Sequence, residues 1–141
     1  MEITSLKELQ EMAKGEIVEL TGFQEGVPFR VRVRKPSIMV LIQNNVIPNT
    51  LLSVTEEVFY GKDSSNKKNV DMDKMSQLML IMAENVLVEP SLQQIREAGL
   101  ELNDMQILEL FNYSQRGVKG IESFRKTQQD TKYDSNSEAV Q

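Results

Sequence analysis

Hydrophobic and polar positions follow a helical period at the start of the chain and then change to the two-residue period of strands. The first apolar stripe, preceded by a capping-box pair at Ser5 and Glu8, consists of Leu6, Leu9, Met12 and Ala13. Two segments rich in branched residues follow at 16–20 and 29–33, on either side of a loop that contains two glycines and a proline. This order predicts a short amphipathic helix and then an antiparallel β-hairpin with a long loop.

The second strand of this hairpin alternates apolar residues with arginine. Successive side chains point to opposite faces of a strand, so one face carries Arg30, Arg32 and Arg34. Such a row is either the solvent-facing side of the sheet or a surface that binds nucleic acid or an acidic protein. The net charge of −5 opposes contact with phosphate backbones, and Glu16 and Glu19 in the first strand are expected near the arginines. The alternation predicts a solvated face, and an acidic protein is the favoured partner if this face binds anything.

Downstream of the hairpin the apolar residues return to a helical period, interrupted by caps, glycines and prolines. Helices are predicted at 38–43, 50–60, 72–87, 92–98, 104–116 and 118–126. The polar segment 61–69 is predicted to be an exposed loop inside one globular domain that covers 1–126, and 127–141 to be a disordered polar tail. The expected fold class is α+β and mostly helical, with a small N-terminal antiparallel β-hairpin followed by a helical bundle.

The helix predicted at 72–87 has a wide apolar surface. Its seam repeats at alternating spacings of three and four and consists of Met72, Met75, Met79, Met82 and Val86. Flanking leucines widen this arc to roughly half the circumference or more, and Ile81 lies on the otherwise polar side. The pattern is typical either of a core helix or of an adaptable binding surface. We expect the core to use only part of it. The candidate protein-binding residues are then Met75, Leu78, Met79, Ile81 and Met82, together with the three arginines.

The composition excludes several kinds of chemistry. The 141 residues include no cysteine and no histidine, which rules out disulfides, thiol nucleophiles and the usual zinc sites. Ser114 has no histidine to activate it and lies near a helix C-terminus, where an oxyanion is disfavoured. The sequence contains no phosphate-binding glycine loop and no calcium-loop spacing. We therefore expect a protein that is not an enzyme and that needs neither a cofactor nor a metal ion.

The apolar runs bear on where the protein resides. The longest, at 38–42 and 78–82, are far too short to cross a bilayer, and the N-terminal residues lack the apolar core of a signal peptide. These features predict a location in the cytoplasm.

Several short motifs occur in an order that is similar to one protein family. From the N-terminus onward they are G-x-x-F at 26–29, R-x-P-S at 34–37, I-P-N-x-L at 47–51, V-x-P at 88–90 and F-N-Y-x-Q-x-G at 111–117. Together they make residues 5–126 resemble the tail assembly chaperones of long-tailed bacteriophages, in the short form that is made without ribosomal frameshifting. The helix at 72–87 and the polar loop before it match that family only in character, and the tail at 127–141 has no counterpart.

The resemblance implies a function in virion morphogenesis, encoded by a bacteriophage or prophage. Proteins of that family bind the long helical tape-measure protein and bring tail-tube subunits to it, and they are absent from the finished particle. A homo-oligomer and a longer frameshifted form are further expected partners, whereas nucleic acid and membranes are not, and the location would be the cytoplasm of the bacterial host. The alternative is a small regulatory or adaptor module that binds nucleic acid or protein through Arg30, Arg32 and Arg34.

Overall fold

The computed structural model describes residues 1–61, 71–117, 121 and 126. In chain order its elements are helix α1 (Leu6–Ala13), strands β1 (Glu16–Gln24) and β2 (Val27–Val33), helix α2 (Ile38–Gln43), a 3-10 turn (Asn49–Leu51) that runs into helix α3 (Leu52–Tyr60), helix α4 (Met72–Val86), strand β3 (Leu87–Glu89), and helices α5 (Leu92–Glu97) and α6 (Asp104–Arg116). The predicted α+β, mostly helical class is confirmed. Nearly all of the predicted polar loop, last helix and tail lies outside the described residues.

Most of the helices begin where the sequence places a capping side chain. A backbone N–H in the first turn donates to the side chain of each of five caps, which are Ser5, Ser37, Asp71, Ser91 and Asn103. Ser91 and Asn103 complete capping boxes, because the glutamine three residues later accepts a hydrogen bond from the N–H of the cap. A cap of this kind stabilises a helix by about 1 kcal/mol, which helps such short helices to start at a defined residue.

A three-stranded antiparallel sheet with the order β1-β2-β3 holds the N-terminal part of the chain. Glu16 lies opposite Val33, and Leu20 lies opposite Phe29. The long loop predicted between the first two strands is wrong, because the strands continue until only residues 25–26 separate them. The register shifts beyond Leu20, and such an irregularity lets the glycine-containing stretch continue as a strand.

The predicted hairpin of β1 and β2 is confirmed, and a third strand that was not predicted adds to it. β3 pairs with β2 through Leu87 with Val33 and Glu89 with Arg32. The helix predicted to include Leu87 ends one residue earlier, because Leu87 has an extended backbone. Residues 87–89 continue the apolar pattern of the preceding helix, so the sequence alone does not predict a strand there. They adopt the strand conformation because they pair with β2.

Two buried clusters make up the core. The sheet cluster covers the inner face of the sheet and consists of Val18, Leu20, Val31, Val33, Ala83, Val86, Leu87, Ile95, Leu110, Tyr113 and Ile121. The helical cluster lies among α2, α3, α4 and α6 and consists of Leu41, Ile47, Leu51, Val54, Leu78, Met82 and Phe111. Helices α4 and α6 pack against each other and contribute residues to both clusters, so they form a wall that the two clusters share.

Polar side chains of α6 hold β1 in place. Gln106 donates from Nε2 to the backbone oxygen of Thr21 at 2.8 Å, and the backbone N–H of Thr21 donates to Glu109 Oε1 at 2.9 Å. The hydroxyl of Tyr113 donates to Glu16 Oε1 at 2.6 Å. Burial raises the pKa of Tyr113, and the hydrogen bond to Glu16 and the charge of Glu16 raise it further. Gln106 and Glu109 are fully buried, and burial strengthens their two hydrogen bonds to Thr21, which fix α6 on β1.

Candidate protein-binding surfaces

The candidate residues of α4 are largely covered by the protein itself. Leu78 and Met82 are fully buried in the helical cluster. Met75 and Met79 are half-buried and pack against the same cluster. The expectation that Leu78 and Met82 are free for a partner is therefore wrong, because α3 and α6 both pack against this helix.

Ile81 also departs from its expected position. Its polar neighbours predict a place outside the core, but it is half-buried and packs against the helical cluster. The helical cluster extends around this flank of α4, which the sequence pattern alone assigns to solvent. The exposed apolar residues of α4 are instead Met72 and Leu80. A substitution at Ile81 would therefore disturb the core as well as the surface, so it cannot test partner binding alone.

The arginine row lies on the outer face of the sheet, away from the helices. Arg30 and Arg34 are exposed and Arg32 is half-buried. In the strand register Glu19 is directly opposite Arg30, and Glu89 Oε2 lies 3.9 Å from Arg32 Nε. Exposed ion pairs of this kind contribute about 0–1 kcal/mol to stability. The other expected neighbour of the arginines, Glu16 in β1, instead hydrogen-bonds with α6.

A groove between α2 and α3 is an apolar surface that the sequence interpretation did not identify. It is lined by Ile42, Leu52, Thr55, Glu56 and Tyr60. The three lining residues at positions 52, 56 and 60 follow one face of α3 at intervals of one turn. The Thr55 hydroxyl donates to the backbone oxygen of Leu51 at 2.7 Å, so this buried side chain is already satisfied. The groove is therefore apolar with one acidic group, Glu56, at its side.

Exposed apolar residues of α2 continue this groove. Met39, which is 74% exposed, lies one turn before Ile42 on the same side of the helix. Val40 is exposed as well. The groove and Met39, named here the α2–α3 groove, form an apolar strip on two adjacent helices that the described residues leave uncovered.

Helix α1 carries a stripe that the described part of the chain leaves uncovered. Leu6, Leu9 and Met12 are 71%, 51% and 64% exposed, and no residue of α1 is buried. The predicted helix and its apolar face are confirmed. The sequence indicates that this face exists but not whether anything in the fold packs on it.

The described residues include no group of side chains that could hold a metal ion and no helix that could cross a membrane. Among them, no three acidic side chains lie close enough together to hold a metal ion. The longest helix in these ranges, α4, has 15 residues, and none of the described helices is both long and apolar enough to cross a bilayer.

The chain matches no protein-family model, no characterised protein and no solved structure. The resemblance to tail assembly chaperones therefore stays a prediction.

Proposed function

We propose that this protein is a tail assembly chaperone of a long-tailed bacteriophage or prophage. It binds the tape-measure protein and recruits tail-tube subunits during tail morphogenesis, acts in the cytoplasm of the bacterial host, and is absent from the mature virion. The observation that carries the proposal is the ordered set of motifs from residue 26 to residue 117, which resembles that family.

The α2–α3 groove supports this function, because a chaperone of helical chains needs an apolar strip that accepts a helix. A tape-measure helix can place its apolar face between Ile42 and Leu52, with a further contact at Met39. Full burial of an exposed side chain such as Met39 corresponds to a transfer free energy of about 1.5–3 kcal/mol, and the gain is smaller for Ile42 and Leu52, which are already half-buried. Glu56 beside the groove favours a helix that carries a lysine or arginine next to its apolar face.

The nucleic-acid alternative gains no such support from the outer sheet face. Glu19 lies opposite Arg30, and Glu89 lies near Arg32, so glutamates accompany the row of positive charge. Phosphate binding requires several cations acting together, and the chain as a whole carries a net charge of −5.

The test is co-expression with the tape-measure protein of the phage or prophage that encodes this chain, followed by capture through a tag on this chain. We expect the wild type to retain the tape-measure protein and Met39→Lys to lose most of it, because the lysine puts a charge into the apolar strip. Met39 is exposed, so the variant should fold normally. Ser53→Lys is the matched control, since Ser53 is exposed on α3 but outside the groove lining.

Two outcomes separate the function from its location. If the wild type captures no tape-measure protein, and its gene has no tail-tube or tape-measure gene as a neighbour, the proposed function is wrong. If the wild type captures the protein and Met39→Lys does so equally well, the function holds and the α2–α3 groove is not the binding surface.

A further inference from the structure

Within the described part of the chain, helix α1 lacks the packing that a helix of its length needs. Isolated helices shorter than about 12–15 residues are marginal in water, and short helices in proteins are stabilised mainly by packing of their apolar face. α1 has eight residues, and its stripe of Leu6, Leu9 and Met12 is bare. The cap at Ser5 fixes the first turn but covers none of the stripe. The described residues of its own chain supply no surface that holds α1 in place.

The outer face of the sheet is a second surface that the described residues leave bare. The inner face packs on helices, whereas the outer face exposes Ile17 and Val88 beside the arginine row. A shallow depression on it is bounded by residues that include Ile17, Arg30, Arg32 and Pro90. Arginine side chains combine apolar stems with charged ends, so this face can accept an apolar stripe that has acidic residues beside it. A sheet face of this kind is commonly covered by an amphipathic helix.

The two surfaces have opposite charge. The segment 1–14 contains two lysines, Lys7 and Lys14, and three acidic residues, Glu2, Glu8 and Glu11. Lys14 pairs with Glu11 at 3.1 Å, so Glu8 is the acidic residue of α1 outside that ion pair. At 100° per residue, Glu8 lies beside the apolar stripe of α1, whereas Lys7 lies on the far side of the helix. The outer sheet face carries three arginines and two glutamates, Glu19 and Glu89. A helix docked by its stripe therefore brings Glu8 towards the arginine row.

The junction between α1 and β1 keeps the helix off its own sheet. Only Lys14 and Gly15 connect them, and Gly15 has a φ of 80° with its backbone against Val33. No residue of α1 beyond this junction is buried, so the described part of its own chain does not cover the stripe. We infer that α1 of one copy docks on the outer sheet face of a second copy, and that the second copy docks its own α1 on the first.

The reciprocal arrangement follows from the area that a stable interface requires. Specific interfaces bury about 800 Å² per partner, which is more than one helix of two turns can cover. When each copy gives one helix and receives one, the buried area doubles, and the two contacts are related by the two-fold symmetry that is commonest among oligomers. Because α1 adjoins β1 in the chain, both contacts lie at one continuous interface.

The first test is the mass of the protein in solution, measured by sedimentation equilibrium. We expect the wild type to have twice the 16.1 kDa of one chain. Met12→Lys places a charge in the stripe and should raise the dimer dissociation constant by at least about tenfold. The matched control is Met39→Lys, because Met39 is also an exposed methionine on a short helix but lies away from both surfaces. A monomeric wild type, an undiminished Met12→Lys dimer, or equal loss with Met39→Lys would overturn the inference.

A disulfide cross-link tests the contact between α1 and the outer sheet face by the gain of a covalent dimer, not by a loss of association. The chain has no cysteine, so single cysteines can be introduced cleanly. One protein carries Leu9→Cys and a second carries Ile17→Cys, and the two are mixed and oxidised. We expect a mixed disulfide dimer in high yield, and only a background level when Met39→Cys replaces Ile17→Cys. Equal yields in the two mixtures would show that α1 does not meet the sheet of another copy.

The dimer rests on no part of the proposed function. Met12→Lys should change self-association but leave the α2–α3 groove intact, whereas Met39→Lys should change capture of the tape-measure protein but leave the dimer intact. The failure of one proposal is therefore distinguishable from the failure of the other.

Discussion

Gly15 is the residue at which the first helix passes into the sheet, and its lack of a side chain is required there. Its φ is 80°, and a Cβ would lie 2.2 Å from the carbonyl oxygen of Val33. We expect Gly15→Ala to lower the free energy of unfolding by more than about 2 kcal/mol, from backbone strain and the clash together. Gly26 has nearly the same φ, 79°, but open space around it, so Gly26→Ala should cost only about 1 kcal/mol. Urea unfolding measures both, and equal losses would mean that the contact with Val33 does not matter.

Tyr113 links α6 to β1 through its hydrogen bond with Glu16, and its removal should be visible in the stability. We expect Tyr113→Phe to lower the free energy of unfolding by about 1–2 kcal/mol at pH 7, because the Glu16 carboxyl loses its buried donor. The measurement is urea unfolding of both proteins at matched pH values. No loss at pH 7 would mean that water replaces the hydroxyl without cost.

The same pair of proteins should respond differently to alkaline pH. The pKa of Tyr113 is raised in the folded protein by burial and by Glu16, so the folded state holds this proton more tightly than the unfolded state. The stability that Tyr113 contributes is therefore complete below its ordinary pKa of about 10 and is lost as the pH rises above it. The difference in unfolding free energy between wild type and Tyr113→Phe should shrink above pH 10. A difference that stays constant through this range would contradict the raised pKa.

At the scale of one element, helix α4 has a buried and an exposed methionine, so the effect of the same substitution on stability can be compared at the two positions. Met82 is fully buried in the helical cluster, whereas Met72 in the same seam is 77% exposed. We expect Met82→Ala to cost about 2–5 kcal/mol, because it leaves a cavity, and Met72→Ala to change stability by less than about 0.5 kcal/mol. Thermal and urea unfolding would measure the two. Similar losses at both positions would mean that Met72 is covered in solution.

Some helices and strands can be predicted from the sequence more completely than others. Helix starts were predictable because a cap such as Ser91 or Asn103 acts on N–H groups two or three residues away. β3 was not predictable because its conformation depends on β2, which lies more than fifty residues earlier in the chain. The extension of β1 and β2 was missed because the glycines and proline there read as a loop, whereas the register shift beyond Leu20 accommodates them within the strands.

At the scale of the molecule, α4 and α6 join the two clusters into one unit. Leu78 belongs to the helical cluster and Val86 to the sheet cluster, although both lie on α4. We therefore expect one cooperative unfolding transition for the whole chain. The methyl signals of Val31 in the sheet and of Val54 in α3 should disappear at the same urea concentration in an NMR titration. Two separate midpoints would show that each cluster folds by itself.

Which apolar and charged faces stay exposed depends on how the whole chain packs. The sequence therefore predicted the candidate surfaces only in part. The apolar residues of α1 and of α4 follow the same helical period, yet Leu9 is exposed and Met82 is fully buried. The pattern identifies a face that needs cover, but what covers it depends on residues far away in the chain. The outer position of the arginine row was predictable, because strand alternation is local. The α2–α3 groove was not predictable, because it exists only where two helices meet.

The hydrogen bonds between α6 and Thr21 also limit what can be added to the sheet. β1 is an outermost strand, and such strands attract extended segments of other chains, which is the start of fibril growth. The N–H and the oxygen of Thr21 are already bound to Glu109 and Gln106. A foreign segment that pairs along β1 has to stop at Thr21 or displace two buried side chains, at a cost of about 1–3 kcal/mol for each group left unsatisfied. The opposite edge, β3, has only three residues to offer. Extension of the sheet by another chain is therefore limited at both of its edges.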